Sequence, residues 1–112
     1  MPDHGFDHLE DGTVSGLATI PAVEVITEAA VLLISAAAEK LGMAPDGEPQ
    51  LDLADARALI TALAGLVAAA HAFLDDAQRR PLREGLTTLQ DAFRAASSFP
   101  DAPGHGPGED LV

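Results

Sequence analysis

Residues 28–42 read EAAVLLISAAAEKLG, and between Glu28 and Glu39 stand ten residues of which only Ser35 is polar. In a small acidic chain such a run is one of three things. It is a membrane span, a fully buried core helix, or a helix with part of its apolar surface left for another chain. A span needs about 20 apolar residues, and Glu24, Glu28 and Glu39 confine the uncharged run to half that. Spans also carry flanking Lys/Arg or interfacial Trp/Tyr, and Lys40 is the one such residue nearby. The helix is apolar on nearly every side. Val23, Ile26, Ala30, Leu33 and Ala37 form one stripe, and Val25, Leu32 and Ala36 with Val31 and Ile34 cover most of the rest. A helix apolar all round is a buried one, and two partner helices in one short chain cover only part of such a girdle. The expectation is a homodimer in which Val25, Ala29, Leu32 and Ala36 pack against the same face of a second copy.

Working outward, this first helix is expected over about 20–41. Thr19 or Ile20 caps it, Pro21 sits in the first turn where its missing N–H costs nothing, and Glu24 and Glu28 complement the positive end of the dipole. Lys40-Leu41-Gly42 ends it with a basic residue and a C′ glycine. MAPDGEPQ, with two prolines and a glycine, is a loop. A second helix is expected over 52–73, with Asp52 capping the N–H of Asp55. Leu53, Ala56, Ile60, Leu63, Val67, Ala70 and Leu74 step by 3 and 4 in a strict seven-residue repeat. Leu59, Leu66 and Phe73 add a second row. A third helix is expected over 76–98, with Asp75 and Gln78 at capping-box spacing and Leu82, Leu86, Leu89, Phe93 and Ala96 as its apolar row. Pro81 falls inside it, so it either kinks the first turns or moves the start to Arg80. No stretch alternates apolar and polar residues convincingly, so the fold class is all-α, a three-helix bundle completed by dimerisation.

The chain has 112 residues, room for one domain. Its apolar fraction is 47%, but it has four Phe and no Trp or Tyr. A core built from Ala and Leu buries little area per residue, and small domains of this kind gain stability by oligomerising. Cysteine is absent, which excludes disulfides, thiolate metal sites and a thiol nucleophile and fits a cytoplasmic setting. MPDHGFDHLEDG lacks the basic and apolar stretches of a secretory signal. The net charge of −12 disfavours nucleic acid and anionic membranes as partners. Residues 1–18 read as a disordered acidic tail, 19–98 as the helical domain, and 99–112, FPDAPGHGPGEDLV, as a disordered Pro/Gly-rich tail.

Candidate chemistry is sparse. His4 and His8 stand at i, i+4 beside Asp3 and Asp7, a weak metal candidate within a Gly-containing tail. His71 is the one histidine of the helical part, and it has no Ser or Cys near it in sequence to activate. Asp75 and Asp76 read as caps rather than a catalytic pair. Arg79, Arg80, Arg83 and Arg94 gather on the third helix. They form either a solvated face paired with acids or a docking patch for an acidic partner or an RNA phosphate. No aromatic residue interleaves with them, so base stacking has no support. Ala58, Ala62, Gly65, Ala69 and Ala72 recur at helical spacing on the second helix. Ala62, Gly65 and Ala69 are counted with the interface, although an ordinary tight contact within the chain has the same pattern. The C-terminal tail is a candidate peptide ligand for another protein. No catalytic residue, cofactor site or resident metal is assigned.

IPAVEVITEAAVLLISAAAEKLGM, then a Pro/Gly/acid loop, then LDLADARALITALAGLVAAA and LREGLTTLQDAFRAAS resemble the domain-of-unknown-function family 1844, in its actinobacterial form. Many relatives carry a Lys-Thr-Lys-Gly-Asn-like turn between the second and third helices, where this chain has AHAFLDDAQ. The resemblance implies an all-helical cytoplasmic protein and no activity. The functional expectation is a non-enzymatic, homo-oligomeric interaction or scaffold protein. The alternatives are a translation- or ribosome-associated regulator acting through the basic face of the third helix, and a metal-binding protein acting through His4 and His8.

Overall fold

The computed structural model describes residues 17–43 and 51–111, so the candidate metal pair His4 and His8 and most of the acidic N-terminal stretch lie outside the described residues. Among the described residues three α-helices follow in chain order: α1 (Ala22–Lys40), α2 (Leu53–Ala70) and α3 (Asp76–Ala96), with a 3₁₀ turn, His71–Phe73, between α2 and α3. No strand occurs among the described residues. The all-α expectation holds, with ends within two or three residues of those expected.

The helix ends follow their local chemistry. α1 is capped by Pro21, not by Thr19 or Ile20, with no side-chain hydrogen bond. Instead the Pro21 carbonyl accepts from the N–H groups of Glu24 and Val25 at 3.0 and 3.3 Å. At the other end Met43 N donates to Ala38 O and Gly42 N to Glu39 O. This is the Schellman arrangement, which requires the left-handed backbone that Gly42 adopts at φ 74°. Asp52 caps α2 by accepting from Asp55 N at 3.0 Å, while its own N–H donates to Lys40 O at 2.8 Å. α3 opens with a complete capping box. Asp75 Oδ1 accepts from Gln78 N, and Gln78 Oε1 accepts from Asp75 N, both at 2.8 Å. That box lets α3 start at Asp76 although Pro81 lies inside it.

The core is the expected one. Ala56, Ile60, Leu63, Val67, Ala70 and Leu74 of the seven-residue repeat are buried, as are Leu82, Leu86, Leu89 and Phe93 of α3. α1 contributes Ala30 and Ala37, both fully buried, with Val23, Ile26, Leu33 and Ile34 packed beside them. Alanine at those two points lets α1 lie close to its neighbours. α1, α2 and α3 each pack against the other two. Leu53–Phe73 has the length and apolar composition of a membrane-crossing helix, at a mean hydropathy of 1.6. Here its apolar row forms the bundle core, as a core helix does.

Composition marks the C-terminal stretch as a disordered tail, and here the structure differs. Residues 101–111 fold back along α2 and α3, and Gly106, Pro107 and Gly108 are buried. The physical reason is a set of specific contacts that composition does not express. Gln90 Nε2 donates to Pro107 O at 3.0 Å, and Arg94 Nη1 donates to Asp101 O at 3.0 Å. Arg57 pairs with Asp101 at 2.8 Å, and Arg94 with Glu109 at 3.4 Å.

Candidate functional site

Two surfaces carry the residues singled out above. The first is the outside of the α1–α2 pair. Lys40 at the end of α1 pairs with Asp55 in the first turn of α2 at 3.1 Å, which marks the side on which the two helices meet at the surface. Residues four or seven apart share a helix face. Ala36 therefore lies on the side of α1 that carries Lys40, with Ala29 beside it and Leu32 and Val25 next around. On α2, Ala62 and Ala69 lie one and two heptads beyond Asp55. The opposite flank of α1 faces α3, where Ile34 meets Gly85.

The open sides of α1 and α2 thus adjoin. Leu32 is 70% exposed and Val25 40%, and Ala29, Ala58, Ala62 and Ala69 are exposed as well. Leu33, Leu59 and Leu66, half-buried, belong to the layer packed on the core. The surface is a strip with large apolar side chains along α1 and alanines along α2, bordered on α1 by Glu24, Glu28 and Glu39. Lys40 is held above the ordinary lysine pKa by its hydrogen bond to Asp55 and by the charge of that carboxylate. Gly65 departs from its expected place. It is half-buried, and a Cβ there would meet Leu111 of the C-terminal segment at 3.9 Å, so it belongs to the seat of that segment.

The second surface is the arginine face of α3. Arg79 is engaged locally, with Nε donating to His71 O at 3.1 Å and Nη1 to Asp76 at 2.9 Å. Arg80 and Arg83 are exposed and make no ion pair among the described residues. These three arginines line a shallow cleft with His71, Asp76 and Glu84. Arg94 does not join them. It stands eleven residues beyond Arg83, about 16 Å along the axis at 1.5 Å per residue, and both ends of its guanidinium are taken by the C-terminal segment. Asp75 and Asp76 act as cap and arginine partner. Among the described residues no group of three or more His, Asp or Glu is placed to hold a metal.

Sequence reasoning missed Arg57, Gln90 and Glu109. Arg57 sits 4.9 Å over the Phe93 ring while it pairs with Asp101. The available signal was thin: acids in the tail, two arginines near one end of the helix pair, and a small residue, Ala64, beside the α2 repeat.

Fold and surfaces together define a small three-helix protein whose distinguishing features are an open apolar strip and a docked C-terminal segment. The chain belongs to the family described as a domain of unknown function, DUF1844, whose model matches residues 22–95. The match begins at the first residue of α1 and stops in the last turn of α3, so the docked segment lies beyond it. No curated protein and no solved structure matches the chain.

Proposed function

We propose that this protein is a non-enzymatic, homo-oligomeric interaction protein that pairs with a second copy through the α1–α2 strip. One observation carries this reading: Leu32, the most exposed large residue of α1, lies among Val25, Ala29 and Ala36 with the alanines of α2 alongside. Large side chains on one helix and small ones on the next make a surface that is complementary to itself under a two-fold rotation. Val25 and Leu32 of each copy enter the alanine trough of the other, while Glu24, Glu28 and Glu39 remain at the border in water. The two α1–α2 pairs then form a four-helix layer with an α3 on each outer side. Burying this strip supplies apolar area that an Ala-rich core of this size lacks. The cysteine-free composition suits a cytoplasmic setting.

The test is sedimentation equilibrium of the full chain, with helicity followed by circular dichroism. Wild type is expected at twice the chain mass, and Leu32→Glu at the monomer mass with its helicity retained. A wild type still monomeric at about 100 μM, which leaves any self-affinity weaker than about −5.5 kcal/mol, overturns the reading. A Leu32→Glu variant that still dimerises does the same.

A further inference from the structure

The C-terminal segment is built as a ligand rather than as part of the core. Its seat is the groove between α2 and α3. At one end Arg57 and Arg94 hold Asp101 and Glu109. In the middle Gly108 lies so close to α2 that a Cβ would stand 2.5 Å from Ala64 Cβ and 3.4 Å from Ile60 O. Its φ of +73° favours glycine independently. Gln90 holds the Pro107 carbonyl, and Glu109 accepts from Gly106 N at 3.1 Å, which closes the turn on itself. At the far end Leu111 adjoins Val67, Ala68, His71 and Arg83.

The segment brings little apolar side-chain area to this contact: one buried proline, Pro107, glycines, and a leucine that is 46% exposed. Its ion pairs are partly exposed and hold weakly. Elements with few apolar contacts open well below the cost of global unfolding. The helical domain that defines the family ends before the segment begins.

We propose that the α2–α3 groove is a peptide-binding groove for an acidic Gly-Pro-Gly-Glu segment, and that residues 101–111 occupy it in cis as a detachable strap. Arg57 and Arg94 at one end select acids in the peptide, and Ala64 admits only glycine at its closest approach. When the strap opens, the groove accepts the same segment from a second copy. A tethered ligand competes at an effective concentration in the millimolar range, so the closed strap hides the groove from peptides in solution.

The test uses the full chain carrying Gly108→Val, which alters the strap and leaves every groove residue in place, with a synthetic peptide of residues 99–112 as the probe. Hydrogen exchange at residues 102–111 is expected to lose protection in the variant while the three helices keep theirs. The peptide is expected to bind Gly108→Val at least tenfold more tightly than wild type, as it would if the strap is closed nine-tenths of the time. Binding should be lost with the peptide carrying Gly108→Val and with Arg94→Glu added to the chain. Equal protection of the strap in both chains overturns the proposal, and so does a released strap with no peptide binding. Loss of the helices in Gly108→Val also overturns it, because the segment would then be part of the fold.

Discussion

Gly85 of α3 lies directly against Ile34 of α1: a Cβ on Gly85 would stand 2.9 Å from Ile34 Cδ1 and 3.5 Å from its Cγ1. A glycine inside a helix costs about 1 kcal/mol relative to alanine, and this contact is where that cost is offset. The obstructing atom is the far end of a flexible side chain, so one methyl group can be admitted by a small rotation of Ile34. Gly85→Ala is therefore expected to stay within about 1 kcal/mol of wild type, the propensity gain cancelling the repacking. Gly85→Leu overfills the α1–α3 contact and should cost about 1–3 kcal/mol. Urea unfolding of both variants checks the pair. Equal stability of the two would mean that α1 and α3 do not meet here.

The start of α3 sets two local effects against each other. Pro81 removes the N–H that would bond to the Ala77 carbonyl and sets its ring against that carbonyl, a defect of up to about 3 kcal/mol in a helix interior. The Asp75–Gln78 capping box holds the turns before it. Asp75→Ala should then cost about 0.5–2 kcal/mol, and Asp75→Ser much less. Pro81→Ala should raise stability, because Pro81 is exposed and no packing is lost. For a domain of this size each kcal/mol moves Tm by roughly 4–8 °C, so thermal melts of the three variants resolve the order. A lower Tm for Pro81→Ala would show that the proline is required at this bend.

The core was legible because one period governs it. The seven-residue spacing from Ala56 to Leu74 places each of those residues inside, and Leu82, Leu86, Leu89 and Phe93 follow the same logic. Caps at Asp52 and Asp75 were legible because their chemistry is local, three residues long. The docked segment was not, because PDAPGHGPGE has no period and its hold depends on Arg57 and Arg94 lying 44 and 7 residues from Asp101. A composition that reads as unable to fold alone says nothing about folding against a groove. The same blindness placed Arg94 with Arg79, Arg80 and Arg83: a helical wheel shows one face and not how far along the axis a partner arrives. The α1–α2 strip was half legible. The excess of apolar residues on α1 was evident, whereas its adjacency to the α2 alanines depends on which flank Lys40 and Asp55 share.

The Lys40–Asp55 pair gives a pH-dependent prediction whose sign follows from the direction of the shift. The folded pKa of Lys40 is raised, first by the hydrogen bond to Asp55 and then by its charge. A raised lysine contributes stability that is fully present below its unfolded pKa and is lost as pH climbs through the folded value. The wild-type advantage over Asp55→Asn should hold at neutral pH and shrink above the ordinary lysine range. Both side chains are largely in water, 38% and 58% exposed, so the effect is small and weakens further with salt. Any change in helix-dipole stabilisation at position 55 is common to both pH values and cancels in the difference. Thermal melts of both chains at pH 7 and in the alkaline range measure it. A difference that grows with pH would contradict the assigned pair.

Self-association through the α1–α2 strip couples folding to concentration, which separates it from a strip that merely faces water. A chain that pairs only when folded is stabilised by mass action, so its Tm rises with total protein concentration. Tenfold dilution shifts an association equilibrium by about 1.4 kcal/mol per mole of dimer, a change that melts resolve for a bundle this small. Wild type is expected to show that dependence across two decades of concentration. Leu32→Glu and Val25→Glu should remove it, since each places a carboxylate among apolar side chains of the partner. Leu82→Ala, in the buried row of α3, should lower stability by a core-cavity amount of about 2–5 kcal/mol, and Tm with it, and leave the concentration slope intact. A wild-type Tm that ignores concentration throughout the range would remove the second copy from the strip.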